Sequence, residues 1–175
     1  MRMLIGAAAF MIALSGLGGA QTPWHETTEP MTVGFTLIRA DNSGYSDPSL
    51  GGLDSTLRSV LRFTGYRAVS SGFSRAQEGT TFDLTLGLNA NKRTVRLFCT
   101  VEHVSYNGSP ATAQLRIKLS PVDSVDPTHV LEPALLSAGL TIPEQQKVVV
   151  GSGDYEGGGL ALVVTWRKGL PGQKP

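Results

Sequence analysis

The chain has 175 residues, with 15 Lys and Arg, 14 Asp and Glu, and 41% hydrophobic residues, enough for one domain with a real core and too few for two ordinary ones. No block of like charge exceeds the pair Lys92 and Arg93, which speaks against nucleic acid or an anionic membrane as a general partner, since both select a basic excess or stripe. Cys99 is the single cysteine, so no internal disulfide can form and the core alone must hold the fold.

The first 20 residues have the layout of an export signal. Arg2 supplies a positive charge, Leu4 to Leu14 is an apolar run, and Ser15 to Ala20 ends in small residues suited to cleavage after Ala20. The apolar run is too short to span a bilayer, and no later stretch offers about 18 apolar residues in succession. Removing Arg2 with the signal leaves 14 basic residues against 14 acidic. Export without disulfides points to the periplasm of a bacterium or beyond it. Residues 21–31 (QTPWHETTEPM) read as a flexible leader, residues 32–169 as a single β-rich domain, and residues 170–175 as a tail.

Thr32 to Ala40 alternates Val33, Phe35 and Leu37 against Thr36 and Ile38 and predicts a first strand, broken by Asp41 to Tyr45. Asp47 to Arg67 predicts the one amphipathic helix. Leu50, Leu53, Leu57, Val60 and Leu61 form its apolar stripe, Asp47 and Pro48 suit its start, and Gly65 suits a left-handed C-cap. Gly51 and Gly52 weaken the first turn, and Asp54 is an alternative start. Tyr66 to Val69 resumes an extended pattern, giving a β-α-β opening with the helix across one sheet face, and Ser70 to Gly79 reads as a loop.

From Thr80 the chain becomes a series of strands. Phe82, Leu84, Leu86 and Leu88 alternate with polar residues, Asn89 to Arg93 turns, and Thr94 to Val104 returns with Val95, Leu97, Cys99 and Val101 on one face. Asn107-Gly108 marks another turn before Ala111 to Leu119. After the polar stretch Asp123 to Pro133 come three apolar runs, Ala134 to Ile142, Lys147 to Val150 and Leu160 to Trp166, with Pro143 to Gln146 and the glycine-rich Gly151 to Gly159 as connections. The fold class is therefore α+β, a mainly antiparallel sheet or sandwich of about seven or eight strands with one helix, paired largely in sequence order.

Material for chemistry is sparse. His25 lies in the leader, His103 late on a strand and His129 in a turn, with no paired histidines and no Cys/His cluster to hold a metal. Asp123 with Asp126, and Asp154 with Glu156, lack the dense ligand alternation of a calcium loop. The glycines from Gly151 to Gly159 lack the Lys-Ser ending of a phosphate loop and precede a strand. Cys99 reads as a small buried side chain. No cofactor is expected. The most concentrated polar cluster is Arg62, Tyr66 and Arg67 around Phe63, read either as an anion- or partner-binding corner or as a helix end with snorkelling arginines.

FTLIRAD at Phe35 to Asp41, DPSL at Asp47 to Leu50, LRSVLRFTGYR at Leu57 to Arg67 and the closing VVVGSGDYEGGGLALVVTW resemble a group of small exported bacterial proteins of uncharacterised function. TIPEQQKVVVGSG at Thr141 to Gly153, taken with the β-α-β opening, is similar to parts of outer-membrane secretins and to the short N-terminal domains these share with TonB-dependent receptors. This second resemblance implies an envelope component associated with a secretion apparatus. Together with the lack of a catalytic set, it leads to the expectation of a non-enzymatic envelope module that binds a protein partner through an exposed strand edge. The competing expectation is a hydrolase or small-ligand carrier with a pocket between helix and sheet, using His103 or Asp83.

Overall fold

A computed structural model of the chain describes residues 29–88, 93–122, 126, 130–131, 133–155 and 157–169. The expected leader, apart from residues 29–31, lies outside these, as do the tail and most of the Asn89 to Arg93 turn. Among the described residues the strands are β1 (Met31–Asp41), β2 (Gly65–Ala76), β3 (Thr81–Gly87), β4 (Thr94–Ser105), β5 (Thr112–Pro121), β6 (Leu136–Pro143), β7 (Val148–Tyr155) and β8 (Gly158–Lys168), and the single α-helix is α1 (Leu53–Val60).

The strands form two four-stranded sheets, β2-β1-β8-β7 and β3-β4-β5-β6, and every pairing is antiparallel. The expected sheet-rich α+β class is the one observed. Neighbours in the chain pair with each other, and β8 returns to pair with β1, so the strand order closes on itself. Two seams interrupt the ring, because no ladder joins β2 to β3 or β6 to β7 among the described residues. Strands expected to alternate do so. Val33, Phe35, Leu37, Leu162, Val164 and Trp166 face Leu97, Cys99, Leu115, Ile117 and Ile142 across the sandwich, which removes their apolar surface from water.

Both seams are closed at one end by their turns. At the β2–β3 turn the Gly79 N–H donates to the Val101 carbonyl (2.8 Å) and the Val101 N–H to the Thr80 carbonyl (2.9 Å). At the β6–β7 turn the Gln145 N–H donates to the Trp166 carbonyl (2.8 Å), while the Trp166 indole donates to the Ile142 carbonyl (2.8 Å) from inside the core. The indole bond joins β8 of one sheet to β6 of the other, and the backbone bonds fasten the two turns to β4 and β8.

The helix covers half of the outer face of the β2-β1-β8-β7 sheet, as the amphipathic stripe predicts. Leu50, Leu57, Leu61 and Tyr66 pack on Ile38, Ala40, Ala161 and Val163 in a second, smaller core. Its extent differs from the expected Asp47 to Arg67. Asp47 caps a short 3-10 turn at Pro48–Leu50, its carboxylate accepting the Ser49 N–H (2.9 Å), and Gly51 at φ 51° then breaks the helical path. The α-helix runs only from Leu53 to Val60, after which Leu61 is extended and turns into the core. Val60, expected in the apolar stripe, is 59% exposed.

Gly65 is not a C-cap. It opens β2, and a Cβ there would stand 2.5 Å from the Asp41 carboxylate and 2.8 Å from the Tyr45 carbonyl, so its role is close approach of two backbone segments. The expected loop Ser70 to Gly79 is also corrected, since β2 continues to Ala76 in register with β1 back to Met31. Periodicity hid this strand because its inward position opposite Phe35 is Gly72, with the Leu84 and Leu86 side chains of β3 beside it. Gly151 to Gly159 is likewise mostly strand, divided between β7 and β8. A Cβ on Gly153 would meet the Leu135 carbonyl and one on Gly158 the Ala40 carbonyl, each at 2.6 Å.

Candidate functional site

The sequence-predicted corner is only partly assembled. Tyr66 is fully buried; its hydroxyl lies 2.8 Å from the Phe63 carbonyl and 3.2 Å from the Leu61 carbonyl, and the Arg58 guanidinium lies 5.6 Å from the ring centre. Burial pushes the Tyr66 hydroxyl above its ordinary pKa, against the pull of the Phe63 carbonyl bond and Arg58. Tyr66 therefore pins the chain after the helix to β2. Arg62 is exposed beyond the helix end.

Arg67 is brought instead to residues that the sequence did not single out. Its guanidinium lies 5.0 Å from the Tyr45 ring centre, and it stands directly across the β1–β2 ladder from Arg39. Like charges placed opposite each other repel. The nearby Asp41 carboxylate answers this pair: its hydrogen bonds with Ser43, then the charges of Arg67 and Arg39, hold it below the ordinary carboxylate range. The corner thus carries its own counter-ion.

The other candidate residues are placed in structural settings. His103 flanks a bulge in β4, with Nδ1 3.1 Å from Glu78 Oε1, and the second Glu78 oxygen accepts the Val104 N–H (3.0 Å); this fastens the β2–β3 turn to β4. Asp83 accepts from Arg96 across β3–β4 (2.8 Å). The Cys99 thiol lies in the core, where burial pushes its pKa up to about 12. Among the described residues no three His, Cys, Asp or Glu side chains gather in a metal-sized group, and no helix is long and apolar enough to cross a membrane. His25, Asp123, His129 and Glu156 lie outside the described residues.

The residues that sequence reasoning missed lie on the free edge of β2, within the stretch expected to be a loop. Tyr66 shows which way that edge points: its N–H donates to the Tyr45 carbonyl and its carbonyl accepts the Asp47 N–H, both at 2.8 Å and both away from β1. Alternate residues of an antiparallel strand point the same way. The bulge opposite Leu37 and Ile38 shifts the alternation by one, so Ser71, Phe73 and Arg75 aim their N–H and C=O groups away from β1. Among the described residues no strand pairs with this stretch.

The same three residues place their side chains on the half of the outer sheet face that the helix leaves bare. Phe73 is 61% exposed and stands in register with Gly34, which is paired on its other side with Thr165. An open depression of about 600 Å³ runs along this edge, lined by Gly34, Thr36, Ser71, Phe73 and Thr165 from one sheet and by Leu84 and Leu86 from β3. Gly34 keeps its floor low, since a Cβ would come within 3.2 Å of the Thr165 methyl. By contrast, the helix–sheet interface is filled by Leu50, Leu57, Leu61 and Tyr66. No family model and no curated protein matches the chain.

Proposed function

We propose that the protein is a non-enzymatic interaction module of the bacterial cell envelope, exported to the periplasm or beyond, which binds an extended segment of a protein partner by strand addition to β2. The observation that carries this reading is the row of outward-facing backbone groups at Ser71, Phe73 and Arg75 beside an exposed aromatic ring. A strand edge of this kind supplies main-chain hydrogen bonds for affinity, and the adjoining depression supplies a pocket for alternate side chains. The export-like first 20 residues support the location, and the likeness of Thr141 to Gly153 to secretins makes a secretion apparatus the first place to seek the partner.

Phe73→Pro tests the reading. Its N–H makes no ladder bond, so proline removes an edge donor while leaving β1–β2 pairing in place. The purified domain, this variant and Phe73→Ala would be compared for retention of envelope proteins. Proteins held by the natural chain, retained in part by Phe73→Ala and released by Phe73→Pro support strand addition, whereas equal retention by the natural chain and Phe73→Pro excludes it.

A further inference from the structure

We infer that the segment added to β2 is acidic, with an apolar residue and an Asp or Glu two positions apart on the face that meets Phe73 and Arg75. This rests on the strand-addition reading and goes beyond it by fixing the chemistry of the partner. Residues two apart in a strand share one face, and on the bare half of the outer face Phe73 and Arg75 are such a pair. A strand laid beside β2 therefore sets one side chain next to the aromatic ring and the next one of that face beside a guanidinium.

Charge decides which residues fit there. Arg75 is in register with Thr32, and Thr32 with Arg167, so the two arginines occupy one row at two strand spacings, about 10 Å. Both are exposed, and neither has an ion-pair partner among the described residues. The remaining side chains of this half-face on β1, β2 and β8 are neutral: Thr32, Thr36, Ser71 and Thr165 with Phe73. β2 itself (GYRAVSSGFSRA) contains no acidic residue. The result is a positive field over an edge that offers free backbone donors, which attracts an acidic strand and repels a basic one.

The same charges disfavour parallel, in-register pairing with a second copy. Parallel, in-register addition of β2 to β2 would set Arg75 beside Arg75, and charged side chains on an edge are a common guard against such self-pairing. An acidic partner turns this guard into a selectivity device, because specificity is gained where the wrong partner is repelled.

The test uses two fluorescent nonapeptide pools that alternate apolar residues with polar ones, the polar positions being Asp and Glu in one pool and Lys and Arg in the other. Anisotropy is measured at low salt with the domain, with the double variant Arg75→Ala, Arg167→Ala, and with Phe73→Pro. The expected result is binding of the acidic pool at least about tenfold tighter than the basic pool, loss of that preference in the double variant, and loss of both pools in Phe73→Pro. Should the proline variant not fold, Phe73→Ala replaces it, with about tenfold weaker binding expected from loss of the anchor ring. Equal binding of both pools, lost in Phe73→Pro, would overturn the acidic preference and leave strand addition standing. Absence of binding by either pool, or binding indifferent to Phe73, would overturn both. Binding of an oligogalacturonate that depends on the arginines and not on the Phe73→Pro change would make the face a site for acidic glycan and overturn the peptide assignment.

Discussion

Tyr66→Phe separates a structural from a binding role at the helix end. The substitution keeps the buried ring and the Arg58 stacking position and deletes only the hydroxyl that lies 2.8 Å from the Phe63 carbonyl and 3.2 Å from the Leu61 carbonyl. A buried acceptor left without its donor costs about 1–2 kcal/mol, a range set by the desolvation of the stranded carbonyl. For a domain of this size each kcal/mol shifts Tm by about 2–4 °C, so a fall of roughly 2–8 °C is expected. Tyr66→Ala, which also empties the ring's site between helix and sheet, should cost more, about 3–5 kcal/mol. Urea and thermal unfolding measure both, and anisotropy with the acidic peptide pool measures binding on the same samples. A Tyr66→Phe protein that unfolds with the natural chain yet loses peptide affinity would refute the structural assignment and return Tyr66 to the binding corner.

Gly158→Ala brings a Cβ to 2.6 Å from the Ala40 carbonyl, a backbone atom in a central ladder that cannot swing aside, and a loss of about 1–3 kcal/mol is expected in urea titration. Trp166→Phe removes the indole bond to the Ile142 carbonyl across the β6–β7 seam; the expected cost is about 1–3 kcal/mol, with faster hydrogen exchange at β6 and β7 as the accompanying signature. Cys99 should react with a thiol reagent at pH 8 only as fast as the domain opens, since its folded pKa is about 12. Because that value lies above the ordinary one of 9.0, the folded state holds a proton that the unfolded chain has lost, and stability should fall as pH rises from 9 towards 12. The opposite sign applies to Asp41, Asp47 and Asp54, held below 3.8 chiefly by hydrogen bonds with Ser43, Ser49 and Arg58 respectively. Their contribution is complete above that value and is lost as pH falls through their folded pKa values, so an acid unfolding series should show a shallower decline for Asp54→Asn than for the natural chain.

Much of the fold was legible because most strands bury one face only. β1, β3, β4 and β5 alternate strongly enough for period alone to place them, while the centre of β8 shows as an unbroken apolar run because both its faces are buried. β2 was lost after Val69 because Gly72 stands where an apolar residue would have announced the core, the volume being filled by neighbouring leucines. The helix was overextended for a related reason: the leucine spacing continues past Gly51 and Val60, and only the positive φ at Gly51 and the inward turn of Leu61 stop it. At the candidate site, the companions that the structure gives Arg67, Tyr45 and Arg39, come from other segments and no spacing rule connects them.

The sequence by itself determined the sheet-rich class, the presence and apolar face of one helix, and the burial of Cys99, all of which follow from local periodicity and side-chain chemistry. Only the tertiary structure decided that β8 closes on β1, that two seams are left without backbone pairing, and that the helix covers one half of a sheet face and not the other. Those outcomes depend on contacts between residues more than a hundred positions apart, such as Val33 with Trp166, whose pairing no local pattern encodes. Phe73 and Arg75 are ordinary residues of a polar stretch until that closure places them on an open edge.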